Sequence, residues 1–238
     1  MHDGMTIVGL TLLAGLAMPV GAAIAVVEKI RPDWLEAEFR HSVIAFGGGA
    51  LLSAIALVLV PEGISNLTPL TAGFCFASGG IAFLGLDLYL AARNSPAGQM
   101  AAMLSDFIPE ALALGATFAS GSSSGPLLAM LMALQNIPEG FNASRELTAS
   151  TAFSARRIIV AFSAMALAGP VAGLTGYAWL SDFPAAVSGI MLFAAGGILY
   201  LIFQDIAPQV KLERHWAPPL GAVAGFLLGL LGQMVIAT

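Results

Sequence analysis

The sequence predicts an all-α fold: a polytopic membrane helix bundle with eight transmembrane helices and both termini outside. Three observations carry this. Of 238 residues, 58% are hydrophobic and 10% charged, whereas a soluble domain has about 45–50% and about 25%. The apolar residues form continuous runs, not the alternation of a membrane β-barrel. All nine Lys and Arg fall on one side of an eight-span topology, as basic residues of cytoplasmic loops do. The same composition excludes a disordered chain. A formal net charge of −5 with few, scattered bases excludes a nucleic-acid surface. The single cysteine, Cys75, forms no intramolecular disulfide.

A span needs about 20 mainly apolar residues. The first runs over 5–27, with Lys29 and Arg31 anchoring its cytoplasmic end. Met1-His2-Asp3-Gly4 holds no Lys or Arg, so no cleaved signal peptide is expected. The second, 42–60, follows Arg40 and ends at Val60-Pro61-Glu62-Gly63. The third, 71–92, lies between Ser65-Asn66 and Arg93, before Asn94-Ser95-Pro96. The fourth and fifth, 100–119 and 126–144, are joined by Gly121-Ser122-Ser123-Ser124-Gly125. Arg145, Arg156 and Arg157 lead to the sixth, 158–180, and Ser181-Asp182 to the seventh, 184–204. Lys211 and Arg214 precede the eighth, 217–237, which opens on Pro218-Pro219. No linker divides the chain, so residues 1–238 form a single transmembrane domain. Gly47-Gly48-Gly49 and Gly221, Gly225 and Gly229 permit close helix approach. A homodimer seam is one use for them.

Ionisable groups in hydrocarbon are costly and usually functional. Here they are Asp87, Asp106, Glu110, Glu139 and Asp205, with Glu62 at an outer helix end and no Lys, Arg or His in mid-span. Amides add Gln135, Asn136, Asn142, Gln204 and Gln233. Buried acids without a counter-charge imply protonation or a bound cation.

Their arrangement bears on that choice. The fourth span holds Asp106-Phe107-Ile108-Pro109-Glu110, the fifth Gln135-Asn136-Ile137-Pro138-Glu139. In each, two oxygen-bearing side chains stand at i and i+4, on one helix face. The proline before each glutamate deprives the carbonyl four residues back, Ser105 or Leu134, of its partner and favours a kink. Folding the spans antiparallel about the Gly-Ser turn sets Glu110 opposite Gln135. Asp106 then faces Glu139, about 6 Å nearer the cytoplasm at 1.5 Å per residue. Such an oxygen set, with three formal negative charges, suits a divalent cation: Mn, Mg, Ca or Zn.

These two Pro-Glu helices resemble the paired metal-binding helices of the ZIP (Zrt-, Irt-like protein) divalent-metal transporters. Val60-Pro61-Glu62-Gly63, Gly85-Leu86-Asp87 and Gln204-Asp205-Ile206-Ala207-Pro208-Gln209 extend the resemblance along the chain. It implies a 3+2+3 architecture, in which the first and last three helices form an inverted repeat. It also implies that Glu110, Gln135 and Glu139 are primary metal ligands, with Asp106 where the family usually has His. Asn136 stands where many members have Asp. Phe107 and Gly169 stand where members that bind two metals have Asn and an acid, and Ala111 replaces a Gly. One metal site is therefore expected, with selectivity reaching beyond Zn²⁺ to Fe²⁺ and Mn²⁺. Glu62 would sit at the outer mouth, and Asp87, Gln204, Asp205 and Gln209 near the cytoplasmic exit, with Asn136 on the route. His41 and His215 read as interfacial, and the family's histidine-rich loop is absent.

The expected function is uptake of a divalent metal across a plasma membrane, the inner membrane in a bacterium. Its partners are the metal ion and the lipid bilayer, with no prosthetic group. An intramembrane metal-dependent hydrolase is the alternative enzyme reading, but catalytic zinc usually takes His ligands and no His lies within a span. A non-metal carrier or scaffold is the other alternative; an organic anion would want a basic residue in the core.

Overall fold

The computed structural model describes residues 2–28, 33–93, 96–180, 182–210 and 217–236. They form eight helical rods and, among the described residues, no strand. Helix α1 is His2–Val27. Helix α2 covers 33–63, with a π-turn at Ile55–Leu59. Helices α3, α4 and α5 are Pro69–Arg93, Pro96–Ala119 and Gly125–Ser150. Helix α6 covers 155–180 and breaks at Leu167, where Pro170 lacks the N–H that would bond to Ala166. Helix α7 covers 184–210, with a π-turn at Ile202–Ile206. Helix α8 is Ala217–Ile236. Lys29, Arg31, Lys211, Arg214 and His215 lie outside the described residues.

Six of the eight rods are long and apolar enough to cross a membrane: α1, α2, α3, α6, α7 and α8. The other two of the eight expected spans, α4 and α5, are not among them. They have the length, 24 and 26 residues, but their polar side chains dilute the apolar run. Contacts between helix ends nevertheless carry α5 from one end of the bundle to the other. The α4–α5 turn meets Glu62 at the end of α2, and Asn66 just past α2 reaches Ser188 near the start of α7. At the far end, Arg145 of α5 pairs with Glu28, just past α1, at 2.8 Å.

Four helix pairs are closed by glycines on which no Cβ would fit. In α1·α5, Gly21 abuts the Ile137 carbonyl and Gly140 the Met18 carbonyl. In α4·α6, Gly115 meets the Gly173 carbonyl and Gly176 the Leu112 carbonyl. In α2·α8, Gly49 meets Ala222 and Gly225 meets Phe46; in α3·α7, Gly79 meets Phe193 and Gly196 meets Phe76. With only hydrogen at Cα, backbones come close enough for dispersion to hold helices together where lipid supplies no hydrophobic drive. The glycines read as a candidate dimer seam, Gly49, Gly221 and Gly225, are thus taken up within the chain.

With the further packing of α1 on α6 and of α2 on α7, these pairs form two sets, α1/α4/α5/α6 and α2/α3/α7/α8. Exchanging α1 with α6, α2 with α7, α3 with α8 and α4 with α5 maps the four pairs onto one another. The π-turns obey the same exchange. Val60 N–H bonds to the Ile55 carbonyl and Ala207 N–H to the Ile202 carbonyl, each immediately before a proline, Pro61 or Pro208. A proline removes one i→i−4 bond, and a widened turn absorbs the loss. In α4 and α5 the helix instead continues through Pro109 and Pro138.

Candidate functional site

The Pro-Glu stretches of α4 and α5 face each other in the interior. Glu110 is 0% exposed and Gln135 2%, and Gln135 Nε2 donates to Glu110 Oε2 at 2.7 Å. The predicted pairing of those two is therefore made. Asp106 is buried and Glu139 half-buried. Both lie within electrostatic reach of Glu110 and of each other, with no direct hydrogen bond between them described. Asn136 is buried beside Gln135, and its Nδ2 donates to the Ala14 carbonyl at 2.9 Å, tying α5 to α1.

Four acceptor atoms on this pair of helices are buried without a hydrogen-bond partner: Asp106 Oδ1, Glu110 Oε1, Gln135 Oε1 and Asn136 Oδ1. A buried acceptor left unmatched costs about 1–3 kcal/mol, more if charged. Several on one hairpin make a concentration of uncompensated negative potential that a cation would relieve. Among the described residues, however, no three His, Cys, Asp or Glu side chains are drawn together closely enough to hold a metal ion. The oxygens are gathered but not closed about a point.

Phe107 explains part of the local shape. Its ring is 1% exposed and lies where side chains at two glycines would go: a Cβ on Gly169 would stand 2.7 Å from Phe107 Cζ, and one on Gly15 2.9 Å. The space beside Asp106, between α4, α6 and α1, is filled by carbon.

The other acids form a trail leading from this hairpin. Asp205, in the π-turn of α7, lies within electrostatic reach of Glu139. It also lies within reach of Asp87 on α3 and of Glu146 near the end of α5. Tyr200 OH donates to Asp87 Oδ2 at 3.0 Å. Gln204 and Asp205 are exposed and Asp87 is half-buried. At the opposite end, half-buried Glu62 accepts hydrogen bonds at Oε1 from the Ser122 and Ser124 hydroxyls. Sequence reasoning passed over Ser122, Ser124, Tyr200 and Glu146. The serines looked like turn residues, and only helix packing brings Tyr200 and Glu146 to the acids. His41, read as interfacial, is half-buried on α2.

An apolar cleft of about 300 Å³ opens between α2, α5 and α8, lined by Phe39, Phe46, Leu134, Ile137 and Pro138 among others. No carboxylate lines it, so it is separate from the trail of acids.

No family model matches the chain. It is similar to the zinc transporter ZIPB of Bordetella bronchiseptica: 24% identical over 251 residues, covering 93% of this chain and 79% of that protein. The similarity runs across nearly all of the helices described above, and with the six apolar spans it marks an integral membrane protein.

Proposed function

We propose that this chain is a carrier, not an enzyme, that moves a divalent metal cation across its membrane into the cytoplasm. Zinc is the first candidate, through one site between α4 and α5. The observation that carries this reading is the set of unpartnered buried oxygens on Asp106, Glu110, Gln135 and Asn136, on helices that also hold Glu139. The similarity to a zinc transporter over most of the chain supports the same substrate class.

The chemistry follows from the donors. Asp106, Glu110, Gln135 and Glu139 offer carboxylate and amide oxygen only, the ligands of hard and borderline divalent ions. With no imidazole in the set, Fe²⁺ and Mn²⁺ compete with Zn²⁺. To close about an ion, Gln135 has to exchange its hydrogen bond to Glu110 for a carbonyl contact, and Glu139 has to turn inward. Phe107, packed against Gly169, leaves room for one ion rather than two.

Entry passes Glu62, and exit passes Asn136, Asp205, Gln204 and Asp87. All eight rods span the membrane in this reading, with the first and last three related as an inverted repeat. The exchange symmetry of the glycine-closed pairs and of the two π-turns supports that architecture. Rocking of α1/α4/α5/α6 against α2/α3/α7/α8 would turn the site from Glu62 toward Asp205, as repeat-built carriers do. A potential negative inside favours entry by about 2.3 kcal/mol per charge per 100 mV. Basic residues at the α1, α5 and α7 ends orient the chain with both termini outside.

The test is uptake of Zn²⁺, Mn²⁺ and Fe²⁺ into vesicles holding the purified chain. Glu110→Ala and Glu139→Ala should each abolish it. Parent-like uptake of all three ions by both variants sinks the site, and no uptake of any of them by the parent sinks the function.

A further inference from the structure

The geometry points to a latch at the outer face, built from Glu62, Ser122 and Ser124, that holds the mouth shut until a cation displaces the serines from the carboxylate. This rests on the transport reading and adds to it the device that gates entry.

Glu62 ends α2, immediately after Pro61 and a π-turn. Its Oε1 is the shared acceptor of the Ser122 and Ser124 hydroxyls, which also touch each other. Ser124 N–H donates to Ser122 Oγ at 3.2 Å, so the turn holds the Ser122 hydroxyl in place. Gly121, at φ +71, supplies the left-handed residue this reversal needs. Both serines sit in the turn that joins α4 to α5. The latch therefore connects one helix set to the turn above the site on the other.

The α2 side of the latch is itself anchored. The Glu62 carbonyl accepts from Ser65 Oγ at 2.6 Å and from Ser188 Oγ at 3.3 Å. Asn66 Nδ2 donates to the same Ser188 at 3.2 Å, and Gly63 is pressed on Leu192 and Ser188 of α7. The outer end of α2 is thus fixed to its own set, and the side-chain bonds from Glu62 are what it offers to the other. Hydroxyl donors are neutral, so a divalent ion outcompetes them for the carboxylate. An ion binding at Glu62 removes the acceptor, and the turn is released from α2.

The experiment uses the full chain in proteoliposomes in a Cys75→Ser background. The reporter is Leu128→Cys, at a fully buried position one helical turn inward of Ser124, labelled by an impermeant thiol reagent from outside. Adding Ser122→Ala and Ser124→Ala should speed labelling roughly tenfold or more, the population shift expected from losing bonds to a charged acceptor. Zn²⁺ should speed labelling in the parent reporter but not in the serine variant. Glu62→Gln, whose amide oxygen still accepts, should label near the parent rate, lose the Zn²⁺ response and raise the KM for uptake. Bridging Glu62→Cys to Ser124→Cys with a short bifunctional thiol reagent should stop uptake. Labelling unchanged by loss of both serines, or parent-like uptake by the bridged protein, overturns the latch. Zn²⁺ binding by the same variants, read by calorimetry, separates this outcome from failure of the transport reading: every latch variant should keep the inner site's affinity, which Glu110→Ala should lose.

Discussion

Gln135→Leu separates a metal ligand from a structural amide. Gln135 and Glu110 are both buried and joined by one bond of 2.7 Å. Leucine nearly conserves volume. Without metal the substitution forfeits that bond, about 0.6–1.7 kcal/mol between membrane helices. It also removes one unmatched acceptor, Gln135 Oε1, and creates another, Glu110 Oε2, so those costs of about 1–3 kcal/mol each nearly cancel. The metal-free protein should lose about 1 kcal/mol. The metal-bound protein loses an oxygen ligand as well. If the dissociation constant rises about tenfold at a concentration 100 times the parent's constant, stabilisation by metal falls from about 2.7 to about 1.4 kcal/mol. Thermal unfolding in detergent, with and without Zn²⁺ or Mn²⁺, reads both terms. The metal-induced rise in midpoint should fall to about half the parent value. A large drop in the metal-free midpoint, with the metal-induced rise intact, would refute the reasoning and make Gln135 a structural group only.

Three further outcomes test the packing around the site. Gly140→Ala would set a Cβ 2.8 Å from Met18 Cα, well inside the 3.5–4.0 Å optimum between carbons. It should cost about 1–3 kcal/mol and impair uptake, whereas Gly73→Ala, with nothing within 4 Å, should melt and transport like the parent. Phe107→Asn should raise the bound metal above one equivalent by metal analysis of purified protein, while Gly169→Glu should fold poorly with or without the Phe107 ring, because a Cβ there also meets the Thr11 carbonyl at 2.8 Å; a constant stoichiometry in Phe107→Asn breaks the argument. A double-mutant cycle on Arg145→Ala and Glu28→Gln should give a coupling of up to about 1 kcal/mol that shrinks in high salt, and zero coupling at low salt would show that the pair does not join α5 to α1.

The pairing of Glu110 with Gln135 was legible because two Pro-Glu stretches at equal distances from one short turn leave little freedom of register. The eight rods were legible as apolar runs between Pro, Gly and Ser breaks. What α4 and α5 lack in hydropathy is the same fact as the site: the side chains that make them candidates are those that dilute the run. Helix partners were harder to read. Gly225 looks the same whether it meets Phe46 of its own chain or a second copy, because close approach needs only a missing Cβ. Ser122 and Ser124 were hidden for another reason, since serine is common in turns and its acceptor lies 60 residues or more away in sequence. The π-turns follow from Pro61 and Pro208, yet Pro109 and Pro138 produce none. A proline thus sets the local deficit of one bond, and the surrounding packing decides how the backbone meets it.

The two helix sets divide the polar residues in a way that bears on mechanism. Asp106, Glu110, Gln135, Asn136 and Glu139 all stand on α4 and α5, each helix closed by glycine onto a partner in its own set, α6 or α1. Glu62, Asp87, Gln204 and Asp205 all stand on α2, α3 and α7, in the other set. Backbone-to-backbone glycine contacts leave no slack for sliding within a set, because a shift of one residue would bring a side chain onto a carbonyl. Between the sets the close glycine contacts meet side chains, as where a Cβ on Gly47 of α2 would stand 2.8 Å from Pro138 Cγ, and an apolar cleft opens beside Pro138. Displacement therefore costs least between the sets, and it is the displacement that changes which acids the hairpin faces. Glu139 already lies within reach of Asp205, while Glu62 holds the outer turn. In the transport reading proposed above, that combination corresponds to a carrier closed outside with its site turned toward the inner acids.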